Sequence, residues 1–149
     1  MEGMVDALRR AHRVVTPNGC IVDVHPIEKA ASVQVGDTKT GWVEAGDAPL
    51  RHAAAGAALS TAIDEGLFTA AATVEFEFLT YGDTIEELRD YIVDTWRDAR
   101  IDRKTVARTR DVLRAGAAGT RPCVRERVRL TILNPMARRS GDREIHQAR

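Results

Sequence analysis

Two strand-like runs, "TVEFEFLTY" (residues 73–81) and "CVRERVRLTIL" (residues 123–133), constrain this chain more than any other feature. Each alternates with a period of two, which places successive side chains on opposite faces of a sheet. In the first, Val74, Phe76 and Phe78 share one face, and Glu75 and Glu77 share the other. In the second, Val124, Val128, Leu130 and Ile132 share one face, interrupted by Glu126, and Arg125, Arg127 and Arg129 share the other. As antiparallel neighbours these strands would bring the acidic row opposite the basic row as cross-strand pairs. The alternative is that each charged row faces water. Exposed pairs contribute at most about 0.2–1 kcal/mol each, so their value lies more in register than in stability.

The elements around these strands define an α/β chain. A helix over residues 4–15 carries Val5, Leu8 and Val15 near helical spacing. Thr16-Pro17-Asn18-Gly19 ends it in a turn. "CIVDVHP" then reads as a short strand with Ile21, Asp23 and His25 on one face, and "SVQVGDTKTGWVEAGD" reads as a hairpin turning around Gly36 to Gly41. Asp47 is placed to cap an Ala-rich helix that Gly66 ends. Asp83 and Glu86 have the spacing of a capping box before a helix with Ile85, Leu88, Ile92, Trp96 and Ala99 on one stripe. A further helix follows Asp102. The expected organisation is one domain over residues 1–133 and a polar, disordered tail over 134–149.

The segment "ALRRAHRVVTPNGCIVDVHP" resembles the part of class I S-adenosylmethionine-dependent methyltransferases in which a helix leads through a Pro-Gly turn into the fifth strand. Asn18 stands where the commoner first Gly of that turn would be. The resemblance implies a partial Rossmann-like sheet with equivalents of strands five to seven at residues 20–25, 73–80 and 123–133, flanking helices and a small β-hairpin. It also implies that the antiparallel seventh strand lies between the other two. The family holds its cofactor on the first half of its sheet, on a Gly-rich turn and an acidic ribose partner. None of the eleven glycines here forms a G-x-G, so no cofactor-binding residue carries over. The expectation is the back half of such an enzyme, inactive alone and binding no S-adenosylmethionine by itself. The alternative is a standalone module that binds a small molecule or a protein.

Ligands in open α/β sheets bind beyond the carboxyl ends of strands. That rule selects Asp23, His25, Glu28 and Tyr81 as substrate-side candidates, with His25 able to take a proton from an acceptor. Water is the other occupant such strand ends meet. Trp42 either closes a pocket from the hairpin or anchors the hairpin on the body.

The remaining classes are excluded more directly. Lys plus Arg and Asp plus Glu both number 22, which argues against nucleic acid as the main partner. No run of 18 apolar residues suggests a membrane span, and the histidines lack metal-ligand spacing. Cys20 and Cys123 lie far apart, as in reduced cytoplasmic proteins, and are not expected to bond. Finally, "CIVDV" carries no Lys or Pro to blunt an open strand edge, so a homodimer or a partner chain is expected along residues 20–25 unless the hairpin covers that edge.

Overall fold

A computed structural model describes residues 2–27 and 29–137. The elements are α1 (Glu2–Val14), β1 (Ile21–Pro26), β2 (Ser32–Val35), β3 (Thr38–Glu44), α2 (Ala48–Asp64), β4 (Phe68–Tyr81), α3 (Ile85–Thr95), β5 (Arg100–Ile101), α4 (Arg103–Ala115) and β6 (Pro122–Pro135). Glu28 and residues 138–149, most of the expected tail, lie outside the described residues. The ordered chain extends past the expected boundary at residue 133: β6 runs through Asn134 and Pro135, and both pair with β4.

β6 is the spine of the sheet. Along one side it pairs with the whole of β4, from Phe68↔Pro135 to Tyr81↔Cys123. Along its other side it pairs first with β2 (Val35↔Pro122 to Ser32↔Arg125) and then with β1 (Pro26↔Val128 to Ile21↔Leu133). Every pairing is antiparallel, and β3 and β5 extend the sheet beyond β2. β1 and β4 therefore point the same way with β6 reversed between them. The class is α/β, with a six-stranded sheet in which no neighbouring strands are parallel. The hairpin does not cover β1: it continues the sheet past the end of β1, and the other edge of β1 has no strand partner among the described residues.

The opposed charged rows meet as the alternation predicts. Glu75 accepts from Arg129 at 2.7 Å and from Arg127 at 3.1 Å, and Arg125 reaches Glu77 at 3.3 Å. The Arg129 guanidinium, its main hydrogen-bond donor, holds the Glu75 carboxyl below its ordinary range. Pairing is direct for Glu75 with Arg129 and diagonal for the other two, because long guanidinium side chains lean along the strands.

Two helical pairs cover the sheet, one on each face. α1 and α2 bury Leu8, Leu59, Ala62 and Ile63 against Ile21, Phe68 and Leu133. α3 and α4 bury Ile85, Leu88, Ile92 and Val106 against Val33, Val43, Ile101 and Val124. Val124 and Leu133 have opposite parity along β6, so the helical pairs lie on opposite faces and at opposite ends. One quadrant of the sheet is left charged. The other is apolar and has no helix over it: Val22↔Ile132↔Ala72, Val24↔Leu130↔Val74 and Pro26↔Val128↔Phe76 form three rows across β1, β6 and β4, with Val128 buried and the flanking valines open. Val22, Val24 and Val74 are each more than half exposed (54%, 55% and 53%).

Local signals shift by a residue or two. The cap of α3 is Thr84, whose hydroxyl accepts from the Glu87 amide, while Glu87 reaches back to the Asp83 amide. The box is thus Thr84–Glu87, one residue after the Asp83–Glu86 spacing. Asp102 caps α4 by accepting from the Thr105 amide at 2.5 Å. Asp47 sits at the cap position of α2 without a side-chain cap bond and pairs instead with Arg51. The hairpin turn is tighter than expected. Gly36 (φ 55°) and Asp37 make it, whereas Gly41 lies within β3, where an added Cβ would stand 2.1 Å from Thr105 Oγ1.

Candidate functional site: two cavities either side of the second helix

The exit of β1 opens onto two cavities. The first, about 280 Å³, lies between the segment after β1, the start of α2 and the end of α3. Its apolar wall includes Pro26, Ala31, Ala45, Ala48 and Ala99, with the Trp96 indole beside them. Two titratable groups face this wall, Glu126 from β6 and His52 from the first turns of α2. Burial pushes the Glu126 carboxyl above its ordinary range. Burial also lowers the His52 imidazole, helped by the charges of Arg51 and His25 and opposed by a hydrogen bond to the Ile27 backbone. Both groups are thereby biased toward their uncharged forms. A carboxylic acid and a neutral imidazole on an apolar wall can exchange hydrogen bonds, or a proton, with a small and largely uncharged ligand. Lys29, Arg51 and Arg97 supply positive charge at the rim.

The second cavity, about 250 Å³, lies beneath the middle of α2 and is lined by His25, Ser60, Thr73, Glu75, Arg129 and Thr131 among others. Asp23 and His25 point the same way from β1, and His25 Nδ1 lies 2.5 Å from Asp23 Oδ2. A carboxylate only accepts, so Nδ1 carries the proton in this contact. Gly56 of α2 faces Nε2, and a Cβ there would stand in ordinary van der Waals contact with it at 3.9 Å.

Of the three sequence candidates among the described residues, Asp23, His25 and Tyr81, the structure brings two together; Glu28 lies outside the described residues. Asp23 and His25 form the dyad, but beneath α2 rather than in the cavity beyond the strand end. Tyr81 stands level with Cys123 and His25 level with Arg129. Six residues of β6 separate those levels, roughly 20 Å. Tyr81 instead lies under the Arg121 guanidinium, 5.2 Å from its ring centroid. Trp42 neither closes a pocket nor anchors the hairpin: it is about half exposed, with Lys39 Nζ 4.2 Å above its ring.

Glu126 and His52 were missed. Glu126 had left a signal, as the one charge interrupting the apolar face of its strand. His52 had left none, since an isolated His on an Ala-rich helix shows nothing of what lies across from it. Cys20 is exposed and Cys123 buried, near opposite ends of β6, and both are free thiols. Among the described residues no group of His, Cys, Asp and Glu has a metal-holding arrangement, and no helix is long and apolar enough to cross a membrane. No family model, no curated protein and no solved structure matches the chain.

Proposed function

We propose that these residues form the acceptor-binding part of an S-adenosylmethionine-dependent methyltransferase-like protein, with the acceptor in the Glu126–His52 cavity and the cofactor held elsewhere. The observation that carries this reading is the placement of β6, antiparallel between β1 and β4, with an apolar cavity at the carboxyl end of β1. That order and orientation are those of the fifth, seventh and sixth strands in the family that residues 7–26 resemble. The open edge of β1 is where such a sheet would add its preceding strand. Neutral His52 is the group in position to take a proton from a bound hydroxyl or amine, and Glu126, biased by burial toward its protonated form, is in position to donate a hydrogen bond to it.

Two titrations test this. Calorimetry with S-adenosylmethionine is expected to show no binding, and micromolar binding would place a cofactor site within these residues and overturn the division of labour. Screening small-molecule fragments by amide chemical shifts is expected to give hits clustered at Ala31, Ala45 and Trp96. Hits that cluster elsewhere would remove the cavity from consideration.

A second reading is a standalone binding module that uses the same cavity between β1, α2 and α3. Adding a Gly-rich strand–turn–helix half ahead of Met1 separates the two. Gain of cofactor binding supports the first reading, and ligand affinity that is indifferent to the addition supports the second.

A further inference from the structure

The sheet has two open edges, and they differ. β1 offers six residues, and under the reading above its edge is reserved for a neighbouring strand. β4 is 14 residues long and, among the described residues, pairs only with β6. Residues 69–78 of β4 are all exposed, and this run contains no Pro, Lys or Arg. An edge of that length, whose charges are Glu75 and Glu77 on one face and whose irregularity lies near its start, is a template for a strand that matches those charges.

We infer that β4 pairs antiparallel with β4 of a second copy, about a two-fold axis through Val74. The charges select this register. A two-fold axis perpendicular to the sheet keeps each face continuous, so the axis passes through a residue. Centred on Val74, it places Glu75 opposite Thr73 of the second copy and Phe76 opposite its Ala72. Centred on residue 75 it sets Glu75 against itself, on 76 it sets Glu75 against Glu77, and on 77 it sets Glu77 against itself. Like charges directly opposite are destabilising. Moving the axis toward the start of the strand brings Glu75 against the irregularity between Ala70 and Ala72. Moving it toward the end leaves the exposed run, since Leu79 and Thr80 are half-buried. Val74 also lies near the middle of that run. Arg127 and Arg129 hold Glu75 from the β6 side, so its carboxylate meets Thr73 of the second copy already partnered.

Pairing makes one continuous sheet, β1-β6-β4-β4-β6-β1, and joins the two bare apolar quadrants edge to edge. The segment beyond residue 137 carries one bulky apolar side chain, Ile145, and is a poor candidate to cover this edge in place of a second copy.

The test is the dimer dissociation constant from sedimentation equilibrium on the full chain, with three variants. Thr73→Arg sets a cation against Glu75 of the second copy twice per dimer and is expected to tighten association by about two- to tenfold. Thr73→Glu sets two carboxylates against each other and is expected to weaken it by a similar factor. Val74→Cys places two thiols at the axis and is expected to give a disulfide-linked dimer on mild oxidation. Circular dichroism of each variant as a monomer shows that the fold is kept. A chain that stays monomeric at high micromolar concentration, with Thr73→Arg no different, overturns the inference. So does a dimer whose affinity ignores both charges at residue 73, or one abolished by Val22→Pro but indifferent to them, since either places the contact elsewhere.

Discussion

The two ends of β6 are the same strand in different surroundings. From Pro122 to Glu126 its apolar face is sealed by α3 and α4, with Val124 1% exposed and Val33 beside it fully buried, and the face left without helices is the charged one that carries Arg125. From Val128 to Leu133 it carries helices on one face only, and its other face holds the bare rows of Val22, Val24 and Val74. Alternating sequence is present at both ends. An apolar strand face therefore says that something should cover it, without saying that the same chain does.

The sharpest way to break this comparison is a pair of truncations. Leu88→Ala, at a fully buried site under the sealed end, is expected to cost about 2–5 kcal/mol in urea unfolding, because transfer and cavity terms add. Val24→Ala, on the bare face, is expected to stay within about 0.5 kcal/mol of the parent at concentrations where the chain is monomeric. Equal losses would mean that the bare face is covered.

Next comes Gly41→Ala. Its Cβ would sit 2.1 Å from Thr105 Oγ1, and overpacking of this kind costs about 1–3 kcal/mol. A neutral result would show that α4 gives way readily and that the sealed end is softer than its burial implies.

Helix starts sharpen the contrast further. Thr84→Ala removes a hydroxyl that accepts from the Glu87 amide and is expected to cost about 1 kcal/mol. Asp47→Ala, at a cap position without a cap bond, loses only its pair with Arg51, about 0.3–0.5 kcal/mol. Thermal melts of the two variants should rank in that order.

The smallest effect is expected at the boundary between the ends, at Glu126. Burial raises its folded pKa above the unfolded value. The folded state then binds the proton more tightly, so stability is greatest below the unfolded pKa and declines as pH rises through the folded one. Glu126→Gln should leave stability nearly unchanged at pH 4, raise it at pH 7, and flatten the profile between. A parallel profile for parent and variant would mean that the carboxyl is solvated as an ordinary surface group.

Period-two alternation and charge complementarity made β4, β6 and their antiparallel pairing legible in the sequence, because Glu75 and Arg129 mark the same face of facing strands. The crossover from β1 to β4 was legible too, since Gly66 (φ 72°) stops α2 where a left-handed cap predicts. The two-residue β5 was not, being a response to Glu44 and Val43 across from it and not a pattern of its own. The site was legible in location more than in membership. The strand-end rule pointed to the exit of β1, where a cavity does open. Its residues come from β6, α2 and α3, and nothing in a linear pattern brings Glu126, His52 and Trp96 together. His25 was selected for ending a strand, yet α2 closes over it.

The central place of β6 also sets the order in which the molecule can assemble. All three of its partners precede it in the chain, and Ile21 finds its neighbour only in Leu133. Until the last strand is available, β1 and β4 have no ladder to join, and the N-terminal helices have only a partial surface to rest on. Folding is therefore dominated by distant pairings, which slows it relative to helical chains of this size. A ribosome-bound chain halted before Pro122 could close the hairpin of β2 and β3 but would leave β1 and β4 unpaired, open to chaperones and proteases until β6 threads between them.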